Sequence, residues 1–235
     1  METRGSIPQI IRNDDKLYEG NLTHYLRVVC KYARNLHHPY HNLRHMLHVL
    51  WLCYQACLFY KEKRINGNLS SPKLTPRQMR NLLIAALFHD FDHSGLLGDD
   101  DLNIEKALRA LKKHILPEDE MHLDEIVGIL KATEFPYKVS SDSLGLLAKI
   151  IRDADMSQAL SVAWIQQVIL GLAAEWRKTA VEILQMQGPF MSNLKFFTDW
   201  GQQMFPRKII DIKIQEANEL LELLGEQAPP PAKPA

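Results

Sequence analysis

No excess of either charge marks this chain: 28 Lys plus Arg stand against 28 Asp plus Glu. That balance excludes a general field for drawing in nucleic acid or acidic membranes, so a small anionic substrate has to be attracted by local charges or bound cations. Cysteine is scarce. Cys30, Cys53 and Cys57 are an odd number without Cys-x-x-Cys spacing, each in an apolar helical stretch, which points to buried free thiols in a reducing compartment. No apolar run approaches membrane-spanning length, and Met1 to Ser6 lacks the apolar core of a signal peptide. Without a secretory signal, Asn21-Leu22-Thr23 and Asn68-Leu69-Ser70 are chance matches to the glycosylation pattern. The expectation is a cytoplasmic protein with no membrane and no nucleic-acid partner, its oligomeric state undetermined. No strand-rich block and no internal repeat is found.

What is present is helical nearly throughout, and 235 residues suffice for one well-filled core or two small ones. Residues 43–62 carry apolar side chains at mixed three and four spacings with no internal Gly or Pro, the pattern of one long helix. A loop is expected over 64–74. Thr75-Pro76 then supplies an N-cap and a first-turn proline for the next helix. Asp99-Asp100-Asp101 caps an amphipathic helix over 102–114, Pro117 breaks the pattern, and 121–133 resumes it. Ser140-Ser141-Asp142 caps a helix running toward Asp155. Helical stretches follow over 161–187, interrupted near Gly171, and over 206–224, with Gly225 as a stop. The expected fold class is all-α, with one unit over 1–225 and a disordered, proline-rich tail over 226–235.

His89-Asp90-Phe91-Asp92-His93 ends an apolar run over 82–88 with a dense set of metal-binding side chains. Placing these groups beside an apolar helix carries a large desolvation cost unless a cation is bound. Two further segments offer ligands. Tyr40-His41-Asn42-Leu43-Arg44-His45 has two histidines four apart, on one face if helical. Ile151-Arg152-Asp153-Ala154-Asp155 adds an acidic pair after another apolar stretch. Alone, His41 and His45 read as solvated helix histidines and Asp155 as a cap or surface acid. Together with the cluster they form a mixed N/O site suited to zinc, manganese or iron, with magnesium at an oxygen-rich second position.

The three segments together resemble the HD-domain superfamily, and in detail the catalytic domain of class I cyclic-nucleotide phosphodiesterases. That family carries Tyr-His-Asn-x-x-His, His-Asp-x-Asp-His-x-Gly and Ala-Asp-Leu-Ser elements in this order. Here they read Tyr40 to His45, His89 to Gly95 and Ala154-Asp155-Met156-Ser157. The resemblance, over 21–214, implies a compact multi-helix bundle. It implies His45, His89, Asp90 and Asp155 as ligands of a tighter metal, Zn2+ or else Mn2+ or Fe2+. Asp90 would bridge to a second ion, Mg2+ or Mn2+. His41 would be the general acid, with its charge supported by Glu105 or Asp92, while Asp92 and His93 would orient water or ligands. Tyr40 and Asn42 would belong to the substrate pocket. Glu105 and the Thr133-Glu134 pair are further supporting matches. Gln202-Gln203-Met204-Phe205 resembles the family's Gln-Val-Gly-Phe segment, whose glutamine hydrogen-bonds the base and whose phenylalanine stacks on it, which would give Gln202 and Phe205 those roles.

The chain departs from the family at His48, where an acid usually supports the site, and at Gln158-Ala159, where Asn-Pro is usual. The chemistry implied is hydrolysis of a 3′,5′-cyclic nucleotide, cyclic AMP or cyclic GMP, to the 5′-monophosphate by metal-activated hydroxide. A phosphohydrolase of linear nucleotides on the same scaffold is the alternative enzyme, and an inactive ligand-binding HD module is a third reading. The base preference is open, because a glutamine amide can turn to meet adenine or guanine.

Overall fold

Thr75 accepts a hydrogen bond from the Gln78 amide while Gln78 reaches back to the Thr75 amide, and Pro76 fills the first turn. This capping box launches a helix in which every residue from Met79 to Phe88 is buried. A helix enclosed on all sides is a core element, and here it ends at His89. The structure, a computed structural model, describes residues 5–65, 72–98 and 100–226, the side chains of 64 and 65 excepted. In chain order the helices are α1 Ile7–Arg12, α2 Thr23–Tyr32, α3 Leu43–Ile65, α4 Pro76–Phe88, α5 Asp101–His114 and α6 Pro117–Glu120, followed by α7 Leu123–Lys131, α8 Leu146–Met156, α9 Leu170–Trp176, α10 Ala180–Asn193, α11 Asp199–Met204 and α12 Arg207–Leu223. No strand occurs among the described residues, and no single helix there is long and apolar enough to cross a membrane. The fold is all-α, as expected.

Helices α2, α3, α5, α7 and α8 pack around α4, and their apolar faces form one core with Trp200 from α11. A second apolar cluster spans 159–221 and unites α9, α10 and α12. The seam between the two is where α8 ends at Met156. Arg152 and Asp153, both buried, lash neighbouring chain to that seam. The Arg152 guanidinium donates to the Ala132 and Val139 carbonyls, while Asp153 accepts from the Phe197 and Thr198 amides and the Thr198 hydroxyl.

Several boundaries differ from those the sequence suggests, each for a local reason. Pro117 starts a helical turn, α6, rather than only ending a pattern, since a first-turn proline lacks only an N–H that has no partner there. Ser140 caps a 3-10 turn, Ser141–Ser143, and α8 begins later, after Gly145. The break expected near Gly171 falls instead at Arg177, which is left-handed at φ 55°. Gly171 serves close approach: a Cβ there would lie 3.1 Å from the Pro39 carbonyl. Helix α10 continues through Gly188 and Pro189, beyond the limit the sequence suggested at 187. Cys53 and Cys57 are buried, but Cys30 is exposed. Gly225 ends α12 at φ 75°, and residues 227–235 of the expected tail lie outside the described residues, as does Asn68.

One buried charge network ties α2, α4 and α6. Arg80 grips both oxygens of fully buried Asp119 at 2.7 Å, Arg77 adds a bond at 2.6 Å, and the Tyr25 hydroxyl donates at 2.6 Å. Burial opposes ionisation of Asp119, but Arg80, Tyr25 and Arg77 outweigh it and hold its pKa below 3.8. Removing Asp119 leaves buried Arg80 with only the Glu19 and Asn21 carbonyls and no counter-charge, while Arg77 keeps Glu19, so Asp119→Ala is expected to cost about 3–5 kcal/mol of stability. Because the folded pKa is depressed, this contribution is complete above the unfolded carboxylate pKa and is lost as pH falls through the folded value. Denaturant melts of parent and variant should therefore differ at pH 7 and converge in acid; equal midpoints at pH 7 would refute the account.

Candidate metal centre

Four side chains meet where α4 ends. His45 comes from the first turn of α3, His89 and Asp90 follow α4, and Asp155 comes from the last turn of α8. His45 Nε2 lies 3.0 Å from Asp155 Oδ1 and 3.3 Å from Asp90 Oδ2; His89 Nε2 lies 3.4 Å from Asp90 Oδ2 and 3.8 Å from Asp155 Oδ1. The other ring nitrogens fix the tautomers. His45 Nδ1 donates to Gln158 Oε1 at 3.0 Å and His89 Nδ1 donates to the Ala86 carbonyl at 2.8 Å. With neutral rings both Nε2 atoms therefore turn lone pairs toward carboxylate oxygens, an arrangement that positive charge satisfies, either a cation between them or a proton on a ring.

The remaining chemistry fits that reading. His89 Nε2 and Asp90 Oδ2 are buried without a hydrogen-bond partner, and such groups are costly unless a ligand completes them. Burial disfavours a charged His89, yet Asp90 and then Asp155 outweigh it and raise its pKa to about 9. Asp90 is held well below the ordinary carboxylate range: burial opposes its ionisation, and His89 foremost, with His41 and His45, prevails. The pocket attracts positive charge, and donors from His45, His89 and Asp90 lie within 4.8 Å of one another. Nitrogen and carboxylate donors in this mixture suit zinc, manganese or iron.

Beside this group, His41, His93 and Glu175 bring a second set of donors within 4.8 Å. Here the atoms already satisfy one another. Glu175 Oε1 accepts from His41 Nδ1 at 2.5 Å, and Oε2 accepts from the Tyr40 and His41 amides at 2.7 and 3.1 Å. Burial pulls His41 below its ordinary pKa against the pull of Glu175, while Glu175, despite its own burial, is kept low by the His41 imidazole and the two amides. The His93 ring stacks on His41 at 3.7 Å, accepts from the Gly95 amide and pairs with Asp100 at 3.4 Å. Gly95, at φ 71°, has no room for a Cβ, which would sit 3.0 Å from the Glu175 side chain.

Of the residues expected at the site, Tyr40, His41, His45, Asp90, His93, Thr133 and Asp155 line one cavity of 470 Å³. His89 lies beneath it against Asp90. Others serve elsewhere. His41 precedes α3 instead of sharing a helical face with His45, because Asn42 is spent on the turn: its Nδ2 donates to the His38 and Pro39 carbonyls and its Oδ1 accepts from the His45 amide. Asn42 is thus a brace and not a cavity-lining residue. Asp92, left-handed at φ 60°, faces away from the cavity and accepts from the Arg34 amide at 2.7 Å. Glu105 is exposed on α5 and pairs with Arg109, and Glu134 pairs with Lys138. His48 stacks on Trp51 in an outer groove, where burial foremost, and then His45, lower its pKa to about 4.

The expected clamp of Gln202 and Phe205 is corrected. Asp153 and the Thr198 cap hold α11 with Gly201 against the Asp153 carboxylate, so Gln202 is exposed and donates to the Phe196 carbonyl, while Phe205 packs on Phe196 and Trp200. Gln187 and Phe190 of α10 occupy the cavity wall instead. Gln187 is 5% exposed and its Oε1 has no partner; Phe190 meets Phe135 edge-on at 6.5 Å. The same Gln-x-x-Phe spacing was legible at 187–190, but Gly188-Pro189 reads as a helix end. Two further residues carried no sequence signal. Glu175 is a lone acid in an apolar helix, and Asn35 is a loop residue. Asn35 staples the His41 and Asp90 carbonyls at 2.8 Å each and accepts from the Asp92 amide.

Gln158 orients His45, and its own amide is fixed by Gln167 from a π-helical turn, Ile165–Ile169. Loss of such a partner typically lowers metal affinity 10–100-fold. Gln158→Ala is expected to show that loss in a chelator competition with Zn2+, and unchanged affinity would remove Gln158 from the centre.

A comparison with protein-family models agrees with this geometry: the model of 3′,5′-cyclic nucleotide phosphodiesterase matches residues 40–186. The match runs from the Tyr40 turn through the ligand helices to the base of α10, and covers more than half of the chain. The chain therefore belongs to the 3′,5′-cyclic nucleotide phosphodiesterase family and is a metal-dependent hydrolase of that class.

Proposed function

We propose that the protein hydrolyses a 3′,5′-cyclic mononucleotide, cyclic AMP or cyclic GMP, to the nucleoside 5′-monophosphate, with His41 as general acid. The observation that carries this is one cavity combining three parts: the His45, Asp90 and Asp155 donors, the His41–Glu175 pair, and the Gln187–Phe190 wall. His45, His89, Asp90 and Asp155 would hold divalent cations, Zn2+ or else Mn2+ or Fe2+ at a tighter position and Mg2+ or Mn2+ at a second, whose charge would neutralise the phosphate and acidify the attacking water.

The protein's own groups account for the remainder. Cleavage of a P–O ester bond leaves an alkoxide that needs a proton. His41, with Nδ1 held by Glu175, has Nε2 left to donate it, and Glu175 favours the imidazolium against the burial that lowers the His41 pKa. His93, stacked on His41 and tethered to Asp100, keeps the acid's ring in place. Phe190 and Phe135 offer aromatic surface to a base. Gln187, with an unpaired Oε1 and an amide able to turn, offers a donor or an acceptor to the base edge. This leaves both bases open. Thr133 spends its hydroxyl on the Leu130 carbonyl and shapes the wall.

The direct test is product analysis with cyclic AMP, cyclic GMP and linear nucleotides in Mg2+ and in Mn2+. A 5′-monophosphate from a cyclic substrate is the expected product, and phosphate released only from linear nucleotides would move the protein to the phosphohydrolase reading. Two substitutions refine it. His41→Ala should retain metal and lose about 10²–10⁴-fold in kcat. Gln187→Ala should raise KM about tenfold, as for one hydrogen bond of about 1–1.5 kcal/mol, whereas Gln202→Ala should match the parent. The reverse ranking of the two glutamines would sink the assignment of the wall.

A further inference from the structure

We propose a second binding pocket, on the far side of the ligand loop from the metal centre, that takes a small phosphate-bearing anion. Four cations, Arg34, Lys106, Arg109 and Lys113, line a 280 Å³ hollow between the end of α2, the 91–92 turn and α5. In a chain whose charges cancel, such a grouping is a local field with a direction. Lys106, Arg109 and Lys113 recur at three- and four-residue spacing, so one face of α5 carries them. Lys113 has an ordinary explanation, since cations favour a helix C-terminus. Lys106 and Arg109 sit before the last turn and gain nothing from it.

The only carboxylate in the lining is Asp92, and its Oδ1 is already committed to the Arg34 amide. Arg34 and Lys113 form no ion pair among the described residues, Lys106 reaches only Asn103 at 3.4 Å, and Arg109 has one exposed ion pair, with Glu105 at 3.5 Å. Cations gathered this way repel one another, and an anion relieves that. One wall is aromatic. The half-exposed Tyr32 ring stacks on His114 at 5.0 Å, and Lys31 Nζ lies over the ring 5.0 Å from its centroid, a further cation beside the hollow. The concave shape and small volume favour a compact anion such as phosphate or a nucleoside monophosphate over an extended acidic polypeptide. Phe91 and Asp92 lie in the chain between Asp90 and His93, so this pocket and the metal centre are two faces of one loop.

The test is calorimetric titration of the metal-loaded protein with inorganic phosphate and, separately, with 5′-AMP, alongside acetylation footprinting of Lys106 and Lys113. Either anion should protect both lysines in the parent. In Arg34→Gln/Lys113→Gln, one binding event should weaken at least tenfold, with metal content unchanged. Lys106→Gln/Arg109→Gln should reproduce that loss, which guards against a folding artefact in either pair. Equal protection by phosphate and 5′-AMP would identify a free-phosphate site, and stronger protection by 5′-AMP would place a nucleotide in the hollow. Unprotected lysines and identical titrations for parent and both variants would overturn the proposal. Binding of a glutamate-rich peptide without either small anion would overturn it in favour of an acidic protein partner.

Discussion

Two imidazole lone pairs facing two carboxylates at the buried end of α4 set the terms for the rest of the molecule. His45 and His89 each spend Nδ1 on a fixed acceptor, so neither ring can turn a proton toward Asp90 or Asp155 without acquiring charge. In a site this dry, the arrangement is stable only around positive charge, a proton at His89 or a metal ion. Everything that locates these four side chains therefore acts on that electrostatic balance. The capping box at Thr75 and the apolar girth of α4 are as much a part of it as the side chains themselves.

The centre is held by single polar residues that each join two or three pieces of chain. Asn35 joins the carbonyls of His41 and Asp90, Glu175 joins the Tyr40 turn to α9, and Arg152 and Asp153 bind the flanking segments to α8. Each spends hydrogen bonds on backbone atoms outside the helix ladders, and Glu175 and Asp153 add side-chain bonds to His41 and Thr198. The result is a cavity with one charged end and one apolar end, a division suited to a substrate with a phosphate and a base. The cationic hollow behind the loop extends the same division outward.

Much of this was legible because it rests on local chemistry. The periodicity of 43–62, the cap and proline at 75–76 and the stop at Gly225 are decided by neighbours within a few residues, and the structure agrees with each. The three motif segments likewise announce their donor residues through residue type and short spacing, and the structure brings His45, His89, Asp90 and Asp155 together. The misses share a different cause. Glu105 and Glu134 carried the right charge, yet α5 and the 134–138 turn present them to lysine or arginine at the surface. Gln202 and Phe205 had the right spacing on a helix whose rotation is fixed by Asp153, a residue 45 positions before Thr198 in the chain.

The sequence by itself determined the all-α class, the helix starts at Leu43 and Pro76, and the three segments that carry the metal-binding residue types, because propensity, capping and donor chemistry are properties of short stretches. Only the tertiary structure decided which acid supports His41, which Gln-x-x-Phe pair reaches the cavity, and which way Asp92 and Asn42 turn. Those choices depend on long-range packing: Gly171 closing on Pro39, Gly201 closing on Asp153 and α10 running on through Pro189. Contacts between residues far apart in the chain leave no period or spacing in a single sequence, so the chain could name its chemistry but not the partners that aim it.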